Sequence, residues 1–214
     1  MTEEGVIATD GRVIGERAAR TRARLLEATA ETLREQGALE VKVADVVRIV
    51  GTSPATFYQY FSDVEDAIYA LAVDLIPAVA PLTDQLAETW TENDALEKAR
   101  LFVNNYMNFW DRYGSVLRLM LLRADERDER FRQVRREYNA PFMTTMSNKV
   151  TDAIAAQRLP AELDAQTVAG AMLAALDRLP NYREMFEKRG TTRQAMTETM
   201  ARLLVTSLTG YQPR

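Results

Sequence analysis

The sequence predicts an all-α protein of about nine helices: a three-helix unit built on a helix-turn-helix, followed by a helical bundle. Three observations lead there. Apolar residues recur at i, i+3, i+4, i+7 in one segment after another, the spacing of a helix with one buried face. Seven prolines and nine glycines in 214 residues are few. Residues 43–61, VADVVRIVGTSPATFYQYF, set two helical patterns on either side of a tight turn. The expected organisation is a leader over 1–14, the helix-turn-helix unit over 15–62, and the bundle over 63–214.

Residues 1–14 carry Gly5, Gly11 and little apolar content, and read as an unstructured leader. Arg12 could serve as a minor-groove arm, but the leader reading takes precedence. The first helix is expected from Gly15 to Gln36, stopped by Gly37. Leu26, Ala30 and Leu33 fall on one face, with Leu25, Thr29 and Thr32 beside them. Arg17, Arg20, Arg22 and Arg24 crowd its N-terminal half, where cations oppose the helix dipole. Helix stability does not explain them; phosphate contact or a solvated charged face would.

After a link from Ala38 to Lys42, Val43, Val46, Val47 and Val50 form the stripe of a second helix. Gly51 ends it in the left-handed conformation. Ser53 caps the next helix, with Pro54 at its first position, where a missing N–H does no harm. Phe57 belongs to the core, and Thr56, Tyr58 and Gln59 to the opposite face. Helix, short turn and helix is the shape that lays one helix in a DNA major groove, although plain helix packing uses it too. From Thr52 to Phe61 there is no acidic residue. That favours a face made for phosphates and base edges over an ordinary solvated one. Ser62 or Asp63 caps a fourth helix with Glu65 and Asp66 in its first turn. Pro77 and Pro81 must kink or break it.

Composition removes whole classes of chemistry. With no Cys and no His, there is no disulfide, thiol nucleophile, catalytic triad or thiolate or imidazole metal site. No catalytic residue, cofactor or metal is therefore expected, although acid-only chemistry stays open. No apolar run approaches a membrane span, and the acidic N-terminus does not read as a signal peptide, so the expectation is a cytoplasmic protein without membrane association. The net charge of −4 is not that of a strongly basic DNA binder. Residues 11–62 are mildly basic, with eight Arg/Lys against six Asp/Glu, and modest non-specific DNA affinity follows.

The stretches TRARLLEATAETLREQG (21–37) and VADVVRIVGTSPATFYQYFSDVEDAI (43–68), above all GTSPATFYQYF, strongly resemble the TetR family of transcriptional regulators. The resemblance implies a homodimeric, ligand-responsive repressor on a pseudopalindromic operator in double-stranded DNA. Gln59 and Tyr58 would read base edges, and Pro54 and Ala55 would meet thymine methyls. Thr52 belongs to the same surface, and Ser53, Thr56, Tyr60, Lys42 and Arg22 would hold the backbone. Three positions depart from the family pattern: Lys42 stands where Thr usually caps helix 2, a basic residue near Pro54 is missing, and Val64 replaces a phosphate-contacting Lys. The second half, through RLFVNNYMNFWDRYGSVLR (100–118), LRADERDERFRQVRREYNAPF (122–142) and LVTSLTGYQPR (204–214), is loosely similar to actinobacterial repressors of the ethionamide-activation type.

On its own pattern this half is a bundle. Helices are expected over Asp94–Arg112, ended before Gly114, and over Ser115–Arg123. A long helix over Glu126–Gln157 could break at Pro141. Asp164–Glu187 is interrupted near Pro180, and Thr192–Leu208 closes the chain before Gly210. Phe102, Tyr106, Phe109, Trp110 and Tyr113 share helical spacing and read first as core. The family resemblance implies a cavity there for a small hydrophobic or amphipathic effector. Its lining would be Phe102, Tyr106, Phe109, Trp110 and the polar Asn105, with Met143, Met146, Met172, Leu176 and Tyr182 on other walls and Asp177 as a polar anchor. Ala169, Leu173, Met196, Met200, Leu203 and Leu204 lie on small-residue and apolar stripes of the last helices, which read as intramolecular packing or, through the resemblance, as a dimer interface. Two alternatives remain: a DNA-binding regulator with no effector pocket, and a helical lipid or small-molecule carrier.

Overall fold

The computed structural model describes residues 15–37 and 41–212. The leader over 1–14 with Arg12, and part of the 38–42 link, lie outside them. Among the described residues there are ten helices and no strand: α1 (Glu16–Gln36), α2 (Val43–Val50), α3 (Pro54–Tyr58), α4 (Val64–Ala78), α5 (Ala80–Ala87), α6 (Ala95–Asp125), α7 (Glu129–Ala155), α8 (Ala165–Asn181), α9 (Arg183–Lys188) and α10 (Arg193–Thr209). The chain divides into two compact units, one of residues 1–75 and 115–135 and the other of 76–114 and 136–214. α4, α6 and α7 each contribute residues to both.

The first unit is built around Leu25, Leu26, Ala28, Val46, Val47, Val50, Phe57, Phe61 and Ala67. The α1 stripe and the valines of α2 meet as their spacing predicts, except that Ala30 is only half-buried and Ala28 takes the core position. Asp63 Oδ1 accepts the Asp66 amide at 2.8 Å, and Asp66 Oδ2 accepts the Ser62 amide at 2.9 Å. This reciprocal cap starts α4 by satisfying amides that no helical carbonyl reaches. The ends of α6 and α7 in this unit hold α4: Glu65 pairs with Arg123 at 3.5 Å and Arg130 at 3.8 Å, and the Tyr69 and Phe131 rings meet edge to face at 5.6 Å.

In the second unit α8 packs on α10. Asp164 caps α8 through the Thr167 amide, and Thr192 caps α10 through that of Ala195. Arg183 and Arg193 both bond Asp111, and Arg193 also reaches Asn108, tying α6 to α9 and α10. A bidentate pair from Arg100 to Glu198, at 2.6 and 2.9 Å, adds a second tie. It holds the Glu198 carboxyl down at about 2, with Arg202 assisting.

Four expectations need correction. Gly114 does not end a helix, because α6 runs through it and it is buried. A helical glycine costs only about 1 kcal/mol relative to alanine, less than the packing of Trp110 and Leu117 around it supplies. Pro141 does not break α7. Its cost of about 3 kcal/mol is offset by the burial of Val134, Tyr138, Phe142 and Met146 on both sides of it. The turn before α7 falls instead at Arg127, at φ 71°, with Asp128 capping the new helix through the Arg130 amide. The third correction concerns membranes: by length and composition alone, Val64–Ala87 is apolar enough to count as a span. Pro77 and Pro81 break the stretch into α4 and α5 at Val79.

The last correction concerns the expected dimer residues. Ala169, Leu173, Met196, Met200 and Leu204 are buried within this one chain and pack α8 against α10, whereas Leu203 is exposed. For these five residues the alternative of packing within the chain holds. The outward faces carry Ala171 and Ala174 on α8, and Ala195, Thr199 and Leu203 on α10.

Candidate nucleic-acid interface and buried polar cluster

The turn between α2 and α3 is fixed by backbone chemistry. Gly51 sits at φ 71°, ψ 43°, and its amide bonds the Arg48 carbonyl at 3.3 Å. The Thr52 amide bonds the Val47 carbonyl at 2.9 Å, completing a glycine-dependent helix stop. Arg24 Nη2 donates to the Val50 carbonyl at 2.7 Å, placing a cation at the negative end of α2. Arg24 therefore has a structural task, contrary to its reading as a phosphate contact or a solvated charge. Ser53 Oγ accepts the Thr56 amide at 3.3 Å and meets Thr56 Oγ1 at 3.1 Å, with Pro54 opening α3 as expected.

α3 is a short helix anchored by one side chain. Phe57 is fully buried and stacks on Phe61 at 5.4 Å. Its burial is worth roughly 1.5–3 kcal/mol, and it aims the opposite face outward. Tyr58 is 53% exposed, braced edge-on against Phe57. Ser53, Pro54, Ala55 and Gln59 are exposed, and Thr52, Thr56 and Tyr60 half-buried. Tyr60 leans on the core. Gln59 stands at the C-cap of α3 with helical backbone angles.

The basic candidates divide. Arg20 pairs with Glu16 at 3.6 Å. The Arg22 guanidinium lies 5.2 Å over the Phe61 ring, which orients it from α1 across the end of the α3 segment. Lys42 is exposed at the N-cap of α2 and gives no side-chain cap. A cation there opposes the dipole of its own helix, so it contributes nothing to α2. The arrangement offers a polar, acid-free surface with cations at its edge, able to accept an anionic backbone and present hydrogen-bonding groups to bases.

In the second unit, the stripe of α6 is packed core. Phe102 and Tyr106 are fully buried and Trp110 nearly so, while Phe109 is half-buried against Tyr113 at 4.7 Å. Met146 and Leu176 are buried, and Met143 and Met172 half-buried. Met143 reaches α8 beside Gly170, its Cε 3.7 Å from where a Cβ on that glycine would stand. Asn105 donates to Gln85 at 3.1 Å and so ties α6 to α5. Tyr182 is exposed and stacks with Arg178.

The stripe does hold a polar centre. Tyr106 Oη donates to Asp177 Oδ1 at 2.5 Å, joining α6 to α8. Burial raises the Asp177 carboxyl above its ordinary value, against the lowering effect of Tyr106 and then Trp110. The Tyr106 hydroxyl is pushed well up, first by burial and then by Tyr138 and Asp177. Trp110 Nε1 and Tyr138 Oη lie within electrostatic reach of this centre but make no hydrogen bond of ordinary geometry, although both are buried. Tyr138 was missed in the sequence because it sits among the charges of RRE before Pro141. Its one available signal was the i, i+4 relation to Phe142, whose ring lies 5.9 Å away.

A separate hollow of about 340 Å³ is lined by Trp90, Lys149, Arg158, Tyr211 and neighbours. Lys149 donates to the Glu88 carbonyl at 2.6 Å and sits 4.6 Å over the Trp90 ring. Desolvation, then Lys98, lowers its amine to about 8.

Residues 82–214 match the family described as "Tetracyclin repressor-like, C-terminal domain", and residues 25–66 match "Bacterial regulatory proteins, tetR family". No curated protein matches the chain. Solved structures do. The fatty acid degradation regulator FadR of Bacillus halodurans superposes with a TM-score of 0.66 at 16% identity, over 90% of this chain and 96% of that one. FadR of Bacillus subtilis in complex with stearoyl-CoA gives 0.65 at 16% identity, over 89% and 99%. A TetR-family regulator of Mesorhizobium loti gives 0.65 at 18%, over 91% and 97%. At these identities the likeness is one of fold.

Proposed function

The chain belongs to the TetR family of bacterial transcriptional regulators, and from that premise we propose a homodimeric cytoplasmic repressor, not an enzyme, that is released from DNA by a small amphipathic effector. Residues 15–62 form the reading head and 63–214 the regulatory and dimerising half. The carrying observation is the acid-free face of α3, held outward by Phe57 and started by the Gly51 stop and the Ser53 cap. Two such faces, related by a twofold axis, suit successive major-groove half-sites of a pseudopalindromic operator.

The outward faces of α8 and α10, with Ala171, Ala174 and Leu203, support a dimer contact in which helices approach closely. The buried Tyr106–Asp177 centre supports an effector site on α6, α7 and α8. α6 carries Tyr106 and also Arg123, and α7 carries Tyr138 and also Arg130. A ligand that shifts these helices would reach Glu65 on α4 through the same continuous helices. Ligand and operator must then weaken each other by the same factor.

The test is selection of genomic fragments by the full chain, followed by a screen for compounds that release them, with stearoyl-CoA among them. One pseudopalindromic fragment bound by two protomers, and loss of binding with at least one compound, is the expected result. Failure to enrich any fragment at low salt would overturn the DNA reading. A bound fragment that no tightly binding compound releases would leave a regulator without an effector.

A further inference from the structure

We infer that Lys149 is a Schiff-base lysine, whose amine condenses reversibly with the aldehyde group of a small ligand held in the hollow that Trp90 and Tyr211 line. The site lies within the second unit and stands apart from the Tyr106–Asp177 centre, so it does not rest on the effector reading above.

Two lysines from different helices converge on the segment that joins α5 to α6. Lys149 of α7 donates to the Glu88 carbonyl at 2.6 Å, and Lys98 of α6 donates to the next carbonyl, that of Thr89, at 2.7 Å. Lys98 is paired with Asp94 at 3.0 Å and Glu88 at 3.7 Å. Lys149 is half-buried and lines the hollow, as do Asp152, one turn on along α7, and Arg158. An amine beside a second cation and short of water loses much of its preference for the charged form, which is how proteins make a lysine nucleophilic. Here desolvation and then Lys98 outweigh the opposite pull of Asp152, Glu88 and Asp94, and the amine titrates at about 8. About one such amine in ten is neutral at pH 7, against fewer than about one in a thousand for an ordinary lysine. Lys42 and Lys188 are exposed.

The neutral nitrogen attacks the carbonyl carbon. A C–N bond forms as the carbonyl electron pair moves to oxygen, which takes up the proton that the nitrogen gives up. Protonation of that hydroxyl lets it leave as water while the nitrogen pair closes the C=N bond. Counted from the charged amine, ammonium and aldehyde give protonated imine and water, with no oxidant or reductant. Asp152 is the wall carboxylate able to relay these protons. The product favours an aldehyde over an acyl donor. A protonated imine keeps one N–H for the Glu88 carbonyl and a positive charge over the Trp90 ring, whose centre lies 4.6 Å from Nζ. An amide at the same nitrogen would lose that charge. At about 340 Å³ the hollow is at the small end of ligand pockets, and its two aromatic side chains suit a small aromatic or short-chain aldehyde.

The experiment treats the full chain with benzaldehyde, traps imines with cyanoborohydride and maps the benzyl groups by peptide mass spectrometry. The chain has four lysines, Lys42, Lys98, Lys149 and Lys188, and the α-amino group is read on its own peptide. At pH 7 Lys149 should take about tenfold or more label than any other lysine. Its labelling rate should rise with pH to a midpoint near 8. The rate should also saturate with aldehyde concentration, as binding in a hollow requires. Benzyl alcohol, which has the same ring and no carbonyl, should slow labelling at Lys149 and leave Lys42 and Lys188 unchanged. Even labelling of the four lysines, a rate at Lys149 that stays linear in aldehyde, or no protection by benzyl alcohol overturns the inference. These readouts use the unaltered protein without DNA, so their outcome is separate from that of operator release.

Discussion

Tyr58 and Gln59 are neighbours with different prospects on DNA. Tyr58 is braced against Phe57 and half-exposed, whereas Gln59 has an amide suited to the paired donor and acceptor of adenine. Gln59→Ala is expected to lose about 1–3 kcal/mol at the preferred operator and to relax one base position. Binding to the operator and to single-base variants measures this, and an equal loss on every sequence would make Gln59 a backbone contact. Asp177 makes a second residue-scale prediction, in stability. Its folded carboxyl is raised above its unfolded value by burial, so the native state takes up that proton first as pH falls. The cost of the buried charge is present above the folded value and disappears below the unfolded one, near 3.8. Asp177→Asn, which can still accept from Tyr106, is expected to be more stable than the native chain at pH 7, with the gap closing towards pH 4. Denaturant melts across that range decide it; a gap constant with pH means the carboxyl is not penalised by burial. The residue types at both places were legible in the sequence, but the Tyr106–Asp177 bond was not, since it joins residues 71 positions apart.

At the scale of elements, glycines mark helix ends only where the backbone turns left-handed. Gly51 and Gly210 do so, at φ 71° and 72°, and Gly114 does not. The two ends differ in their surroundings. A Cβ on Gly51 meets nothing within 4 Å, whereas one on Gly210 would lie 2.4 Å from the Arg158 carbonyl oxygen. Gly51→Ala should therefore cost only the left-handed penalty of about 1–2 kcal/mol. Gly210→Ala should cost that and about 1–3 kcal/mol more, from forced backbone movement of the α7–α8 connection. Thermal melts of the two variants test the order, and equal losses would show that the chain end yields freely. α2 and α3 were readable because helix stops and caps are local chemistry: Gly51 ends α2 and Ser53 caps α3 as read, and Asp164 and Thr192, where the expected helices over 164–187 and 192–208 begin, cap α8 and α10. Gly114 and Pro141 misled because the favourable terms, the buried neighbours on either side of each, come from other helices.

For the whole molecule, charge limits the DNA interaction. Arg24 serves α2 and Arg20 faces Glu16, leaving Arg22, Lys42 and Arg17 as the cations best placed for phosphate. With two or three phosphate contacts per head, the plot of log affinity against log salt for a dimer should slope about −4 to −5. Fluorescence titrations with operator DNA at several salt concentrations measure it. A slope near −8 would show that further arginines of α1 reach the backbone. Specificity then depends more on Tyr58, Gln59 and DNA shape than on a broad basic surface.

By itself, the sequence determined the helical class, the glycine stop and serine cap of the reading head, the burial of Phe57, and the absence of His and Cys chemistry. Each follows from residue type and near-neighbour spacing. The tertiary structure alone decided which stripe of α8 and α10 faces inward, that α6 and α7 run unbroken, and that Tyr106 of the aromatic stripe bonds the Asp177 carboxylate of α8. Those outcomes depend on which distant side chains compete for the same buried volume, and no local pattern carries that information.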